Sequence, residues 1–277
     1  MVTRKVWLSI AALALLGQAF GEDAVRFRFR PGESWQYRVQ QTTRVTQTLQ
    51  GETNLLESST ELVKRWEVKE VLPDGSAWLQ LSIPELKLKQ KLPSGQSIVY
   101  DSTQPQQSHA ALREQMEQFV GKPTVQLKVD SRGQVLETKP LLPIPGIGTG
   151  SEPPFGIVLP ESALQAGQRW QRSFQIVLEP PLGTGQKYDA EQHYEVRTLA
   201  AEQAEITFVT QLKNPPTDPA EKIPLLQKIT RGVAVLDRMT GRVTLLRVQA
   251  GGTVEGLEGA PDSKYEFFSE YVERLQR

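Results

Sequence analysis

Apolar and polar residues alternate along most of this chain with a period of two. Val25, Phe27 and Phe29 interleave with Arg26, Arg28 and Arg30. After Pro31-Gly32, Trp35, Tyr37 and Val39 interleave with Gln36, Arg38 and Gln40. Successive side chains of an extended strand face opposite ways, so the pattern predicts strands with one dry and one wet face. The period recurs at Trp66/Val68, Ala77/Leu79/Leu81/Ile83, Val125/Leu127/Val129, Phe174/Ile176/Leu178, Tyr194/Val196, Ile206/Phe208, Val233/Val235, Val243/Leu245 and Tyr265/Phe267. Leu72-Pro73-Asp74-Gly75, Asp130 to Gly133 and Asp237 to Gly241 supply glycine where a left-handed residue closes a hairpin. Pro84 breaks the parity of its run, because Ile83 is followed by Leu86 and Leu88 on the other register, and this predicts a bulge or bend.

Two segments carry a helical period instead. Thr103-Gln104-Pro105-Gln106 resembles a capping box, Leu112, Met116, Phe119 and Val120 share a face, and Gly121 with Pro123 ends the run. A helix over 106–120 is expected, its stripe lying on the sheet. A shorter helix is expected from Asp218-Pro219-Ala220-Glu221, carrying Leu225, Leu226 and Ile229 and limited by Pro224. The predicted fold is mainly β: antiparallel curved sheets or half-barrels in two related units, with one or two helices packed on the sheet.

The two units rest on three matches in the same order. Gly32-Glu33-Ser34-Trp35 finds a counterpart in Gly167-Gln168-Arg169-Trp170, Lys64 to Lys69 in Gln192 to Arg197, and Val129-Asp130 to Val135 in Leu236-Asp237 to Val243. An internal duplication is therefore expected. The boundaries follow: 1–21 a leader, 22–139 a first β-rich unit, 140–160 a connector, 161–277 a second β-rich unit. The connector is too rich in proline and glycine for regular structure and too apolar for a solvated linker, so it should pack against something.

Phe27 to Tyr37, Tyr100-Asp101-Ser102, Leu159-Pro160, Gly167 to Trp170 and Asp237 to Val243 together resemble a family of uncharacterised exported bacterial β-rich proteins with Pro-Gly-x-x-Trp and Gly-x-x-Trp strand motifs. The resemblance spans most of the chain after the leader and implies export and β-architecture, with no activity attached. A curved sheet with a helix on it is also similar in architecture to periplasmic lipoprotein carriers.

Arg4 and Lys5, the apolar run Val6 to Leu16 and the small residues of Ala19-Phe20-Gly21 form a secretory signal peptide. Its apolar core is short of the ~20 residues a membrane span needs, so cleavage before Glu22 and no remaining transmembrane segment are expected. The chain contains no cysteine. It therefore has neither a disulfide framework nor a lipid attachment site at the leader junction, which suits a protein of the bacterial periplasm or one secreted beyond it.

Lys plus Arg and Asp plus Glu both total 32. Loss of the leader's two cations leaves a slightly acidic protein, which excludes the basic stripe of a nucleic-acid binder. Only His109 and His193 are present, so no metal site is expected. Ser108 beside His109 cannot act as a dyad by adjacency, and no Gly-x-Ser-x-Gly elbow occurs. Gly146 to Gly150 and Gly183 to Gly185 lack phosphate-loop spacing. Glu67 and Glu195, at matching positions of the two units, are the first carboxylates to inspect as a glycosidase-type pair, with a solvated strand face the plainer explanation.

No catalytic, cofactor-binding or metal-binding residue is nominated, no cofactor is expected, and the ligand-binding residues stay open. The expected protein is a non-enzymatic envelope component, binding or structural, whose partner is an envelope component or an apolar ligand. The alternatives are a periplasmic carrier of an apolar ligand or lipoprotein, and a carboxylate-based hydrolase.

Overall fold

The computed structural model describes residues 24–142, 152–178, 180, 182–257, 260 and 262–276. The expected leader and the glycines at 146–150 lie outside these residues. Among the described residues, twelve strands form one antiparallel sheet, curved but not closed into a barrel. They are β1 (Ser34–Leu49), β2 (Glu52–Val71), β3 (Ala77–Lys91), β4 (Ser97–Asp101), β5 (Pro123–Val129), β6 (Val135–Pro140), β7 (Arg169–Leu178), β8 (Gln186–Leu199), β9 (Gln203–Leu212), β10 (Thr230–Asp237), β11 (Arg242–Glu255) and β12 (Lys264–Leu275). Two short helices, α1 (Ala110–Met116) and α2 (Pro219–Leu225), complete the fold.

The chain runs outward from β1 through β2, β3 and β5 to β6 at one edge, then crosses to β7 at the other edge. From there it marches back through β8 to β12, which pairs with β1 along twelve residues, from Tyr37↔Leu275 to Thr48↔Lys264. The first and last strands therefore close the seam at the middle of the sheet. The main core cluster draws on both halves, from Trp35, Trp66 and Leu79 to Tyr194, Ile206 and Leu236.

Register follows the turn chemistry. Gly75, Gly133 and Gly241 all have positive φ in their turns. Gly241 also lies against the N-terminal segment: a Cβ there would sit 2.3 Å from the Arg26 carbonyl oxygen. The Pro84 irregularity is a register shift, with Val63 opposite Glu85 but Arg65 opposite Ser82. Equivalent shifts recur in the two halves. In β2 Val68 pairs with Leu79 and Glu70 with Trp78; in β8 Val196 pairs with Ile206 and Thr198 with Glu205. Gly32 N–H donates to Val68 O, as Gly167 N–H does to Val196 O, both at 2.9 Å.

Four local expectations differ from the structure. Val25 to Phe29 alternates but joins no ladder; Phe27 N–H donates to Ser131 O, and the segment covers the end of the core. The helix expected over 106–120 is a 3-10 turn at Pro105–Gln107 followed by α1 alone. It breaks because Ser108 is extended and His109 N–H donates to Val99 O of β4. The capping-box threonine is engaged elsewhere, Thr103 donating through both N–H and Oγ1 to Asp101 Oδ1. In β10 Ala234 and Leu236 face the core while Val233 and Val235 do not, because both phases of this strand are apolar and alternation does not choose between them.

α2 begins as expected, with Asp218 Oδ1 accepting from Ala220 N–H and proline at its first turn. The described part of the connector packs: Phe155, Ile157 and Leu159 are buried in the main core, and the Phe155 ring lies 4.7 Å from Phe27 and 6.2 Å from both Trp35 and Trp66.

Candidate functional site

Both helices and the connector lie on one face of the sheet, here called the inner face. α1 packs Leu112 against Ile83, Leu86 and Tyr100 on the β3–β4 flank, with Met116 and Phe119 closing the cluster. α2 packs Leu225 against Ile176, Leu178 and Ala190 on the β7–β8 flank. Between the flanks run β2, β1 and β12 to β9, and the inner face of β12, β1 and β2 changes character along its length. At the tryptophan end Trp35, Tyr37, Val39, Trp66 and Val68 are buried. Toward the β1–β2 hairpin, Gln41, Thr43, Val45, Thr60, Ser58 and Leu56 are only half-buried, although they share that face. Phe267, opposite Val45, remains buried.

The boundary between the two regions is a charged cluster. Lys64 stands opposite Tyr37, and Glu273 and Tyr271 stand opposite Val39 and Gln41. Lys64 Nζ donates to Tyr271 OH at 2.5 Å and to Glu273 Oε2 at 2.9 Å, and the Tyr271 hydroxyl donates to the same Oε2. The Glu273 side chain is 4% exposed and that of Lys64 22%. Burial, reinforced by the Glu273 charge, holds the Tyr271 phenol well above its ordinary pKa, so it is a hydrogen-bond donor at every physiological pH. Lys64 uses two of its three N–H donors within the cluster, leaving one for the half-open side.

Two further polar groups reach the dry region. Arg242, at the start of β11, ion-pairs through Nη2 with Glu33 Oε2 at 2.8 Å and lies 3.9 Å over the Trp35 ring. Arg172 Nε donates to Gln192 Oε1 and Tyr194 OH, while Trp170 stacks on Tyr194 at 5.1 Å and donates from Nε1 to Val158 O. The sequence carried a signal for this arrangement that a search for catalytic motifs passes over. Lys64, Arg172 and Glu273 all occupy the apolar phase of their strands, in step with Trp66, Trp170 and Leu275, where a charge must be paired to be tolerated.

The residues inspected for catalysis do not gather. Glu67 pairs with Lys69 and Glu195 with Arg169, on β2 and β8, which are six strand spacings apart, roughly 29 Å along the sheet. His109 precedes α1, and His193 sits on β8, 3.6 Å from Glu191. Among the described residues no group of three or more histidine or carboxylate side chains could hold a metal. An open depression of about 680 Å³ on β7, β8 and β9 is lined by Gln171, Thr207 and Val209, with the Arg169–Glu195 pair at its side; its charges are already matched. No helix among the described residues is long and apolar enough to cross a membrane.

No family model and no curated protein matches the chain. Among solved structures it is similar to lipovitellin, studied for its lipid–protein interactions, with a TM-score of 0.47 and 13% identity over 90% of this chain. The chain spans 26% of that lipovitellin chain. A DUF1329 family protein from Desulfovibrio piger aligns over 88% of this chain and 85% of its own, with 9% identity and a TM-score of 0.17.

Proposed function

We propose that this is an exported, non-enzymatic binding protein of the bacterial envelope, and that the inner face of its sheet between α1 and α2 holds an apolar or amphipathic ligand. One observation carries the reading. The core is filled at the tryptophan end and beneath α1, yet the same strands leave Val45 and Leu56 half-buried on the inner face a few residues further on. Apolar side chains left between two packed flanks form a floor that gains free energy when covered, at about 25 cal/mol per Å². The signal-peptide pattern of residues 1–21 and the cysteine-free composition are what support export in this reading. The matching register shifts of β2 and β8 support an internal duplication that builds the two flanks.

The test is a fluorescence titration of the mature protein with a long-chain fatty-acid probe. Saturable one-to-one binding is expected. Leu56→Glu, which places a charge on the floor at a half-exposed position, should weaken it about tenfold or more while leaving the unfolding midpoint close to wild type. Absence of saturable binding, or binding indifferent to Leu56→Glu, sinks the reading.

A further inference from the structure

The half-open stretch of β1, β2 and β12 carries opposite kinds of residue on its two faces. Arg44, Glu57, Glu61, Glu266 and Glu270 stand on the outer face. The inner-face positions of β1 between Gln41 and Gln47, of β2 between Asn54 and Leu62 and of β12 between Tyr265 and Tyr271 are all uncharged. The first charge beyond them is Glu52, beside the β1–β2 turn. A face that only meets water has no reason to exclude ions, and the outer face of the same strands does not exclude them. The charges that border the floor are matched: Lys64 with Glu273 at 2.9 Å, and Lys228, just beyond α2, with Glu152 of the connector at 3.0 Å.

In place of charge, the floor offers a band of hydroxyls and an amide. Ser269 Oγ accepts from Gln41 Nε2 at 3.1 Å and lies 3.2 Å from Thr43 Oγ1, so three polar groups of β1 and β12 converge. Thr60 and Ser58 stand directly across β2 from Gln41 and Thr43. Ser269 is buried beneath, whereas Thr43, Ser58 and Thr60 are half-buried and within reach of a ligand. The band lies between the Lys64–Glu273 pair and the apolar Val45 and Leu56. On one side Leu62 and Leu88 pack into the α1 cluster; on the other, the end of α2 closes over β11, where Leu226 Cδ2 lies 3.0 Å from the place of a Gly252 Cβ. Hydroxyls both donate and accept, so the band matches an alcohol or ester oxygen without needing a formal charge. An ion gains no net counter-charge there, since a carboxylate would meet Glu273 and a cation Lys64, and either would give up hydration on entering.

Resting on the inner-face reading above, we infer that the ligand is an uncharged amphiphile, its alcohol or ester oxygens seated on Thr43, Ser58 and Thr60 and its chain lying over Val45 and Leu56. The head exchanges hydrogen bonds with the neutral band, and the chain covers the apolar floor beyond it.

Four probes of matched chain are titrated below their micellar concentrations at about pH 8, where the carboxylate is ionised: decanol, monodecanoylglycerol, decanoate and decyltrimethylammonium. Wild type should bind the two neutral probes about tenfold more tightly than either ion. Thr43→Val keeps the side-chain shape and suits a strand, and Ser269 retains its bond from Gln41, so the unfolding midpoint should stay close to wild type while both neutral probes weaken about fivefold. Thr43→Lys should shift the choice, raising the affinity for decanoate above that of wild type. Ser58→Ala, on the facing strand, repeats the loss of neutral-probe affinity should either Thr43 variant fail to fold. Tighter binding of monodecanoylglycerol than of decanol supports the seat and assigns it to a glycerol ester, and the reverse order supports it and assigns it to a simple alcohol. An ion bound as tightly as the neutral probes, neutral binding indifferent to the loss of the hydroxyl, or decanoate indifferent to Thr43→Lys overturns the neutral seat while leaving the inner-face reading intact. Failure of all four probes to bind overturns the inner-face reading itself.

Discussion

Replacing Trp66 with alanine should cost about 3–5 kcal/mol of folding stability, the largest loss expected from a single truncation in this chain. Trp66 is 3% exposed, pairs across strands with Trp35, and meets the Phe155 ring edge-on at 6.2 Å. Its removal opens a cavity where two strands, the connector and the N-terminal segment all converge, and no one of these can collapse into the space alone. Trp170, the counterpart of Trp35, is only half-buried and keeps a hydrogen bond to Val158 O, so Trp170→Ala should cost less. Urea unfolding of both variants, with unchanged m-values, checks the order. A loss under about 1 kcal/mol for Trp66→Ala would mean that the filled end of the sheet is not where the fold is held.

Lys64→Met should produce the second large effect, about 2–4 kcal/mol, because it strands the Glu273 carboxylate in a nearly closed site. The partial exposure of Lys64 keeps the figure below that of a wholly buried pair. Adding Glu273→Gln should restore most of the loss, since the double variant leaves no unpaired charge. Additive losses in the double-mutant cycle would show that Lys64 and Glu273 do not act as a pair.

How much of this was legible in the sequence depends on what kind of information each element needs. Strands were readable wherever the alternation was carried by large side chains, as at Trp35/Tyr37/Val39 and Ala77 to Ile83, because burial of one face alone dictates that pattern. In β10 both phases are apolar, Ala234 and Leu236 on the dry face and Val233 and Val235 on the other, so alternation alone does not say which pair is buried. The helix expected over 106–120 is shorter because Ser108 is extended and the His109 N–H is taken by Val99 O of β4, a tertiary contact that local capping signals do not encode. Val25 to Phe29 alternates like a strand and yet only lies across the core, since alternation reports a two-faced environment and not a ladder partner.

The candidate site was legible in part. Lys64, Arg172 and Glu273 stand in the apolar phase of their strands, and a charge in that phase is by itself the mark of a buried polar network. Their mutual partners were not legible, because Lys64 and Glu273 meet only when β12 returns to pair with β1 at the seam, bringing together residues 209 positions apart. Arg242 reaches Trp35 through the same return, since β11 lies beside β12, whereas Trp35, Tyr37 and Trp66 are neighbours within the β1–β2 hairpin. Single residues were visible as anomalies, and the site they form was not.

The measurement that bears most directly on the account is native mass spectrometry of the protein purified from its native host without detergent exchange. A single adduct of the mass of one apolar or amphipathic small molecule is predicted on wild type and should be much reduced on Leu56→Glu. A protein that carries only its bare polypeptide mass under the gentlest conditions, and gains none when incubated with oleate, would contradict the claim that the inner face of this sheet is a binding site.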